Sequence, residues 1–328
     1  MKRPLASILG TGRCLPETVL TNAELERRIE TSDEWIRSRT GIRERRIAGP
    51  EQLPSDMATV AARGALKKAG LEAGQLDAII VATLTPDYPF PATACSVQHK
   101  LGATKAFTFD LGAACSGFIY GLAVAEGLIA SGTARYILVV GSEKLSAITD
   151  WQDRNTCVLF GDGAGAAILG PTGSGGRLAS FYLGADGSMV PKLLQPAGGS
   201  AQPASARSVE DRQHYLKMDG KEVFKFAVRI MGEASAEAVG RAGWERSDIA
   251  LFIPHQANLR IIETAAKFMG LPMERVFVNL SSYGNTSAAS VAIALDEAQE
   301  QGRLKPGDKA VMVAFGAGLT WASCAVEW

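Results

Sequence analysis

Short, continuous runs of apolar and largely β-branched residues alternate along the chain with longer segments whose apolar residues repeat at helical spacing. Because these runs lack polar alternation, they predict strands that are covered on both faces of a sheet. Strands separated by helices indicate a layered α/β fold. The predicted strands are residues 77–83, 106–110, 135–140, 249–253, 276–280 and 309–314, and the predicted helices are residues 92–101, 117–130, 259–269 and 288–301.

The order strand, helix, strand, small-residue loop, helix, strand occurs twice, which indicates two similar halves. We therefore divide the chain into halves comprising residues 1–170 and 171–328. The repeat gives Cys115 and Asn285 near-equivalent positions at strand ends, where open α/β sheets bind ligands. Residues 171–207, rich in Gly, Pro, Ser and Ala, are predicted to join the halves through surface loops.

The overall composition narrows the functional classes. Of 328 residues 47% are apolar, and 34 basic residues balance 34 acidic ones, which argues against a protein that binds nucleic acid by neutralising phosphates. No apolar run approaches the roughly 20 residues that span a bilayer, and the first residues do not resemble a signal peptide. We expect a cytoplasmic protein with no membrane segment.

Cysteine and histidine usage points to a single reactive thiol. The five cysteines are widely spaced without a Cys-x-x-Cys motif, so neither disulfides nor a thiolate zinc site is expected. Cys115 follows a predicted strand, lies among Gly, Ala and Ser, and precedes an apolar helix. The partial positive charge of a helix N-terminus favours a thiolate, so we predict a lowered pKa for Cys115. The alternative, a buried structural cysteine, remains the interpretation for Cys14, Cys95, Cys157 and Cys324.

Two neutral hydrogen-bond donors are candidates for the same site. His255 follows an apolar strand and precedes a helix, while His99 and His214 lie in segments that look like surface. Asn285 lies in a Gly-Asn-Thr-Ser turn and is either a helix cap or a second donor beside His255. A thiol, an imidazole and an amide also occur in cysteine proteases, although the protease signatures around the cysteine are absent.

The glycine-rich residues 161–167 resemble a dinucleotide-binding loop in composition. They run into Ile168 and Leu169, which predict a strand where a pyrophosphate site needs a helix. We therefore interpret these glycines as sites of close backbone packing.

Several motifs together resemble the β-ketoacyl-acyl carrier protein synthase III family, which initiates bacterial type II fatty acid synthesis. These motifs span nearly the whole chain and comprise residues 31–36, 39–42, 113–117, 160–166, 254–258, 284–290 and 318–321. The resemblance implies the thiolase fold, with two duplicated halves in an αβαβα layered architecture, and a homodimer. It also implies condensation of a short acyl-CoA with malonyl-acyl carrier protein through an acyl-cysteine. Coenzyme A is then a substrate, and no cofactor or metal is expected.

The resemblance implies roles for individual residues of this chain. Cys115, His255 and Asn285 are the implied catalytic residues, and the backbone N–H groups of Cys115 and Ala317 the implied oxyanion hole. Three further groups are implied: Trp35, Arg39, Arg154 and Asn258 for binding coenzyme A, Phe90 for limiting the acyl pocket across the dimer, and Lys225, Arg260 and Lys267 for docking the carrier protein.

Ala317 and Ala322 stand where the family usually has glycine, so we expect their methyl groups to crowd the pocket region and leave the preferred primer open. Three alternatives also stay open: a starter-unit synthase of a polyketide or quinolone pathway, a non-condensing acyl-transfer protein, and a cysteine hydrolase.

Overall fold

The computed structural model describes residues 6–171 and 175–328. Its strands are β1 (Ala6–Cys14), β2 (Thr18–Thr21), β3 (Glu44–Ile47), β4 (Ala78–Ala82), β5 (Phe107–Leu111), β6 (Ile137–Glu143), β7 (Gly163–Pro171), β8 (Gly176–Ala185), β9 (Leu193–Leu194), β10 (Lys217–Met218), β11 (Ile249–Pro254), β12 (Lys309–Gly316) and β13 (Thr320–Glu327). Its α-helices are α1 (Asn22–Glu26), α2 (Asp33–Thr40), α3 (Pro54–Ala69), α4 (Thr93–Leu101), α5 (Gly117–Ala130), α6 (Arg154–Cys157), α7 (Ala206–Glu210), α8 (Gly220–Arg241), α9 (Leu259–Met269), α10 (Leu280–Tyr283) and α11 (Ala289–Glu300).

The main sheet repeats its strand order in the two halves of the chain. Its order is β11-β12-β13-β8-β1-β7-β6-β4-β5, and β1 and β8 meet in the middle through two residue pairs. Outward from this junction, each half has two antiparallel pairings followed by a parallel one: β1–β7, β7–β6 and β6–β4 on one side, and β8–β13, β13–β12 and β12–β11 on the other. The duplication inferred from the sequence is therefore present in the fold, whereas a domain boundary at residue 170 stays a prediction.

The hydrophobic core divides into three clusters, which produce five layers. The central cluster holds α5 and α11 between the two halves of the sheet and includes Ile80 and Met312. The neighbouring side chain Ile79 faces the opposite way, toward α3 and α4, and Val313 faces α8 and α9. Because successive strand residues point to opposite faces, these apolar runs bury both faces of each sheet half. The layers are thus αβαβα.

One predicted strand, residues 276–280, is wrong. Only Val276 forms an isolated bridge, to Phe252, before the chain turns into α10. The Asn279 N–H donates instead to Oε1 of the buried Gln256 side chain at 3.0 Å. A side chain therefore satisfies the backbone group that a strand ladder would otherwise need.

The predicted loop segment 171–207 is also partly wrong, because it contains the ten-residue strand β8. The register of β8 against β13 shifts between Leu178 and Ser180, which is a β-bulge. A bulge interrupts the alternation of side chains by which a strand is recognised. The sequence of β8 therefore resembles that of a loop. Residues 172–174 of this segment lie outside the described residues.

The interpretation of residues 161–167 as a site of close backbone packing is confirmed. Most of this glycine-rich segment belongs to strand β7. A Cβ on Gly165 would lie 2.5 Å from the Cβ of Ala292 in α11. The absence of a side chain thus brings the central helix close to the sheet.

Within residues 6–171 and 175–328, no helix is long and apolar enough to cross a membrane. In the same residues, no three His, Cys, Asp or Glu side chains are grouped as a metal ion would require.

Candidate active site

A cavity of about 120 Å³ brings together residues from both halves of the chain. Cys115 from the first half and His255, Asn285, Asn258 and Ala317 from the second all line it. Most of the remaining wall is apolar and includes Leu84, Leu145, Leu159, Val223, Phe224, Ile261 and Phe315. An apolar pocket with a few convergent polar groups is typical of a small-molecule site.

Cys115 is positioned by a tight turn between β5 and α5. It lies in a 3₁₀ turn, Ala114–Ser116, where Ala114 has a φ of 45°. Gly316, at the end of β12, lies against this turn, since a Cβ on it would stand 2.5 Å from the Cys115 nitrogen. Only glycine permits such a close approach. The turn therefore lies beside the loop that carries Ala317, the other member of the predicted oxyanion hole.

The predicted lowering of the Cys115 pKa is wrong for this closed site. Burial is the largest influence and raises the pKa of the thiol to about 12, with the Glu143 carboxyl adding to the rise and the Ser287 hydroxyl opposing it. Loss of hydration disfavours a thiolate more than the short turn before α5 favours it. The proton of Cys115 therefore needs an acceptor when the sulfur reacts.

His255 is a buried, neutral imidazole. Its backbone N–H donates to the Val313 carbonyl at 2.7 Å, and its ring meets Phe315 edge-on at 5.8 Å between centroids. Burial lowers the pKa of His255 to about 3. The ring is consequently uncharged at neutral pH and acts as a hydrogen-bond donor or acceptor.

Ser290 on α11 is a partner of His255 that the sequence analysis missed. Its hydroxyl lies 2.5 Å from Nδ1 of His255. Donation from this hydroxyl to Nδ1 leaves the ring proton on Nε2, the nitrogen available to a ligand. The only sequence signal was its place at the end of the 284–290 motif, in the first turn of α11.

Asn285 is fixed by its backbone and by its own side-chain oxygen. Its N–H donates to the Leu159 carbonyl at 2.8 Å, and its carbonyl accepts from Gly161 at 3.0 Å. Its Oδ1 accepts from the Ser287 N–H at 2.8 Å. Because a backbone N–H must meet the oxygen, the amide NH₂ is the free end of the side chain. Asn285 thus offers a neutral donor at the cavity.

Trp35 and Arg154 are brought together at the surface. The Arg154 guanidinium lies 4.3 Å from the ring centroid of Trp35 and donates to the Glu30 carbonyl at 3.1 Å. An adenine stacked between the two side chains would separate them by about twice a normal stacking distance. At the observed separation no adenine fits between them. A sandwich of adenine between them requires one of them to move.

Arg39 and Asn258 are linked to each other. Asn258 caps α9 by accepting from the Arg260 N–H at 2.9 Å, and its Nδ2 donates to the Arg39 carbonyl at 3.0 Å. Asn258 lines the cavity, while the Arg39 side chain is exposed. One hydrogen bond therefore joins an exposed residue to a residue of the cavity wall.

Phe90 does not line the cavity of its own chain. It is 85% exposed, and Tyr88 nearby in sequence is 55% exposed. An acyl-pocket role for Phe90 thus requires a second copy of the chain.

The three predicted carrier-docking residues lie on the exposed faces of α8 and α9. Lys225 donates to Glu222 at 2.7 Å, and the Arg260 guanidinium covers the Phe224 ring at 5.6 Å, while Lys267 is exposed. Phe224 also lines the cavity, so Arg260 lies beside the cavity wall.

The two alanines that replace family glycines differ in position. Ala317 lines the cavity and is not among the described non-glycine residues with positive φ, so its methyl group causes no backbone strain. Ala322 is buried in the central core cluster instead. The expectation that both methyl groups crowd the pocket is therefore wrong for Ala322.

The remaining cysteines and histidines agree with the predictions only in part, because Cys14, predicted to be buried, and His214, predicted to lie at the surface, are both half-buried. Cys157 and Cys324 are buried and His99 is exposed, but Cys95 is exposed with its sulfur 3.3 Å from the Thr108 hydroxyl, contrary to a buried structural role. His214 is half-buried and pairs with Ser208 at 2.9 Å.

Comparison with known proteins identifies the family. A model of the 3-oxoacyl-[acyl-carrier-protein] synthase III family matches residues 109–187, and a model of the C-terminal part of that family matches residues 239–328. A β-ketoacyl-[acyl-carrier-protein] synthase III from Caldanaerobacter subterraneus subsp. tengcongensis is 57% identical over 323 residues, which cover 98% of each chain.

Solved structures of similar proteins share the fold of nearly the whole chain. A β-ketoacyl-[acyl carrier protein] synthase III from Thermus thermophilus has a TM-score of 0.91 at 48% identity, covering 98% of this chain and 99% of that one. The priming β-ketosynthase of the R1128 polyketide biosynthetic pathway has a TM-score of 0.91 at 39% identity, covering 99% of this chain and 96% of that one. The chain therefore belongs to the β-ketoacyl-[acyl-carrier-protein] synthase III family of condensing acyltransferases.

Proposed function

We propose that this protein condenses a short acyl-CoA, preferably acetyl-CoA, with malonyl-acyl carrier protein to give 3-oxoacyl-acyl carrier protein. The observation that carries the proposal is the meeting of one thiol, Cys115, with two neutral donors, His255 and Asn285, in a single apolar cavity. A hydrolase needs a path for water, whereas this wall is mostly apolar. Simple acyl transfer, for its part, does not need two donors opposite the thiol.

In the first half-reaction the Cys115 sulfur attacks the thioester carbonyl of the acyl-CoA. The backbone N–H groups of Cys115 and Ala317 would stabilise the charge that forms on the carbonyl oxygen. The carbon–sulfur bond to coenzyme A then breaks, which leaves an acyl group on Cys115. The link between Asn258 and Arg39 supports a path for the pantetheine arm and its pyrophosphate. Opening of the Trp35–Arg154 pair would admit the adenine.

In the second half-reaction malonyl-acyl carrier protein occupies the same cavity. Its carboxylate leaves as carbon dioxide, and the electron pair becomes an enolate whose oxygen accepts from His255 Nε2 and Asn285 Nδ2. Donors that remain neutral strengthen as this charge grows, and the low pKa of His255 keeps its ring in that state. The enolate carbon attacks the acyl group, and Cys115 departs as a thiolate.

We also propose a homodimer. The edge strand β5 carries Phe107, which is 42% exposed, and the exposed Tyr88 and Phe90 precede α4, which packs on β5. An exposed aromatic cluster at a sheet edge is typical of a protein interface. A partner's Phe90 would then limit the length of the acyl chain.

The acidic carrier protein would dock on Lys225, Arg260 and Lys267, which lie on the exposed faces of α8 and α9, with Arg260 over the cavity-lining Phe224 ring. Such a local basic surface on a chain without net charge favours a specific acidic partner over general binding of polyanions.

A second candidate is a priming synthase of a specialised polyketide pathway. The fold similarity to the R1128 priming enzyme and the methyl group of Ala317 in the cavity favour it. The two candidates differ in the primer and not in the chemistry at Cys115.

Intact-mass measurement after mixing with acetyl-CoA tests the proposal. We expect one acetyl group, located on Cys115 by peptide mapping, and an unmodified protein would contradict the function. A panel of acyl-CoA primers with malonyl-acyl carrier protein then separates the two candidates, since acetyl-CoA should give the highest kcat/KM for fatty acid initiation. Replacement of His255 with alanine should preserve acetylation and abolish malonyl decarboxylation. Equal loss of both steps would contradict the division of roles.

A further inference from the structure

A buried carboxyl group lies behind the cavity and takes no part in the chemistry described above. Glu143 ends strand β6 and is fully buried. Its Oε2 accepts three hydrogen bonds from the segment after β4: from the Leu84 N–H at 3.1 Å, the Thr85 hydroxyl at 2.7 Å and the Thr83 hydroxyl at 3.2 Å. Its Oε1 is buried without a hydrogen-bond partner among the described residues. One oxygen is thus fixed while the other is free.

A second unpartnered polar atom belongs to Ser287, which lines the cavity together with Cys115 and with Leu84, the residue whose N–H binds Glu143. The Ser287 hydroxyl is buried and likewise has no hydrogen bond of good geometry within the described chain. It is nevertheless close enough to lower the pKa of both the Cys115 thiol and the Glu143 carboxyl. Buried polar groups are rarely left unpaired, so two adjacent ones at a cavity indicate a functional arrangement.

The backbone holds Ser287 in this place. Its φ is 48°, a left-handed conformation that is unusual for a residue with a side chain, and its N–H donates to Asn285 Oδ1. The bond that orients Asn285 therefore also fixes the backbone of Ser287, which lines the same cavity as Cys115. Strain of this kind persists where the surrounding structure fixes it, often at functional sites.

We propose that Glu143 accepts the proton of the Cys115 thiol through the Ser287 hydroxyl as the sulfur attacks an acyl thioester. A hydroxyl both donates and accepts, so it connects a thiol to a carboxylate. The thiol proton passes to the Ser287 oxygen, and the hydroxyl's own proton passes to Oε1 of Glu143 while the sulfur–carbon bond forms. When the bond to coenzyme A breaks, the departing sulfur takes the electron pair and recovers the proton by the same path. Glu143 is then a carboxylate again.

The electrostatics of the site support this direction of transfer. Burial raises the pKa of Glu143 to about 7, so the carboxyl changes charge near neutral pH. A proton acceptor that titrates near the working pH is the most effective one. Transfer of the proton also removes the negative charge that otherwise disfavours a thiolate at Cys115.

Other charged groups near Glu143 are engaged elsewhere. The Lys144 ammonium donates to the carbonyls of Gly49 and Pro50, and the Asp162 carboxylate accepts from Ser146 and Ala48. From the turn before α5, the titratable group facing Glu143 is the Cys115 thiol.

The test is the pH dependence of two reactions of Cys115, acetylation by acetyl-CoA and alkylation by iodoacetamide, each followed by rapid quenching and intact mass. In the unmodified protein both rates should rise through about pH 7. In Glu143→Gln, which keeps the size of the side chain but cannot take the proton, this rise should disappear and the rate at pH 8 should fall about 100-fold. Ser287→Ala should behave in the same way.

Asp162→Asn is the matched control, because it removes a buried carboxyl just before the neighbouring strand β7 and should preserve the rise. A Glu143→Gln protein that reacts within threefold of the unmodified rate with the same pH dependence would overturn the relay. If Glu143→Gln does not fold, Ser287→Ala decides alone, and retention of the rise in that variant overturns the relay.

The inference rests on the proposed function only for the identity of the thioester. If acetyl-CoA leaves the unmodified protein unchanged while alkylation still depends on Glu143, the function fails and the relay stands. If acetylation proceeds equally in all variants, the relay fails and the function stands.

Discussion

The two halves of this protein share one strand order but differ at the strand ends that meet the cavity. In the first half, β5 is a regular strand that leads into the Cys115 turn and α5. In the second half, the equivalent segment is an isolated bridge at Val276 followed by α10, and it leads to Asn285 and α11. The first half thus supplies Cys115, the proposed nucleophile, and the second supplies His255 and Asn285, the proposed donors.

The difference shows how a duplicated fold acquires two chemical roles. The paired sheets and central helices need only apolar strands and close packing, which both halves provide. The loops before α5 and α11 each carry a non-glycine residue with positive φ, Ala114 and Ser287, so both are sharp turns. Small residues at one turn place a thiol on the cavity wall, while the other turn carries an amide and two hydroxyls. Function therefore depends on the turns, and stability depends on the layers.

Replacement of one site residue in each half should separate acetylation from malonyl decarboxylation. This prediction carries the largest expected effect. Cys115→Ala should lose the acetyl adduct completely and retain decarboxylation of malonyl-acyl carrier protein, since no other group replaces the sulfur. Asn285→Ala should retain the adduct and lose about 10² to 10³-fold in decarboxylation, because one donor to the enolate is missing. Intact mass and release of labelled carbon dioxide measure the two steps. Loss of both steps in either variant would mean that the halves do not divide the reaction.

A change at Gly316, where the two halves touch, should reduce acetylation almost as strongly. Gly316→Ala places a methyl group 2.5 Å from the Cys115 nitrogen, so the Cys115 turn must shift. We expect the rate of acetylation to fall about 100-fold and the free energy of unfolding to fall by about 1 to 3 kcal/mol. Gly74→Ala is the control, because no atom lies within 4 Å of its added methyl group. Equal rates of acetylation in the two variants would contradict a role for this contact.

Buried titratable groups in the two halves should give opposite dependences of stability on pH. The pKa of Glu143 is raised from an ordinary 4.5 to about 7, so the folded state binds its proton more tightly and stability falls as pH rises from 4.5 to 7. The pKa of His255 is lowered from 6.5 to about 3, so stability falls as pH decreases through that range. The Glu143 contribution is on the order of 3 kcal/mol.

Urea unfolding between pH 5 and 8 checks this contrast. Glu143→Gln should gain stability relative to the unmodified protein as pH rises, because the amide carries no charge to bury. His255→Gln should instead gain as pH falls toward 5. A constant difference at all pH values would show that neither group titrates differently in the folded state.

The smallest expected effect concerns the orientation of His255. Ser290→Ala removes the hydroxyl at Nδ1, so the ring loses the partner that keeps its proton on Nε2. We expect about a tenfold loss of decarboxylation with acetylation unchanged, since orienting partners usually contribute about that much. Ser290→Thr keeps the hydroxyl and should recover most of the activity. A loss confined to acetylation would assign Ser290 to the Cys115 half.

The sequence alone was sufficient for the fold class and the duplication, and it named three residues that the tertiary structure brings to one cavity. Continuous apolar runs identify strands covered on both faces, and their repeated order identifies the halves. Cys115, His255 and Asn285 became candidates because they follow strands and precede helices, and the family resemblance then implied their catalytic roles. These signals are local, so they survive without knowledge of the tertiary structure.

Only the tertiary structure decided the electrostatics and the partners of these residues. The pKa values of Cys115 and His255 depend on burial, which is created by segments far away in the sequence. Nothing in the sequence distinguishes Glu143 at the end of its strand; only the folded chain shows that the segment after β4 binds one of its oxygens and leaves the other without a partner among the described residues. Likewise, residues 276–280 are not a strand because the Gln256 side chain satisfies their backbone. Local sequence sets what a segment can form, and desolvation and long-range hydrogen bonding decide what its side chains do.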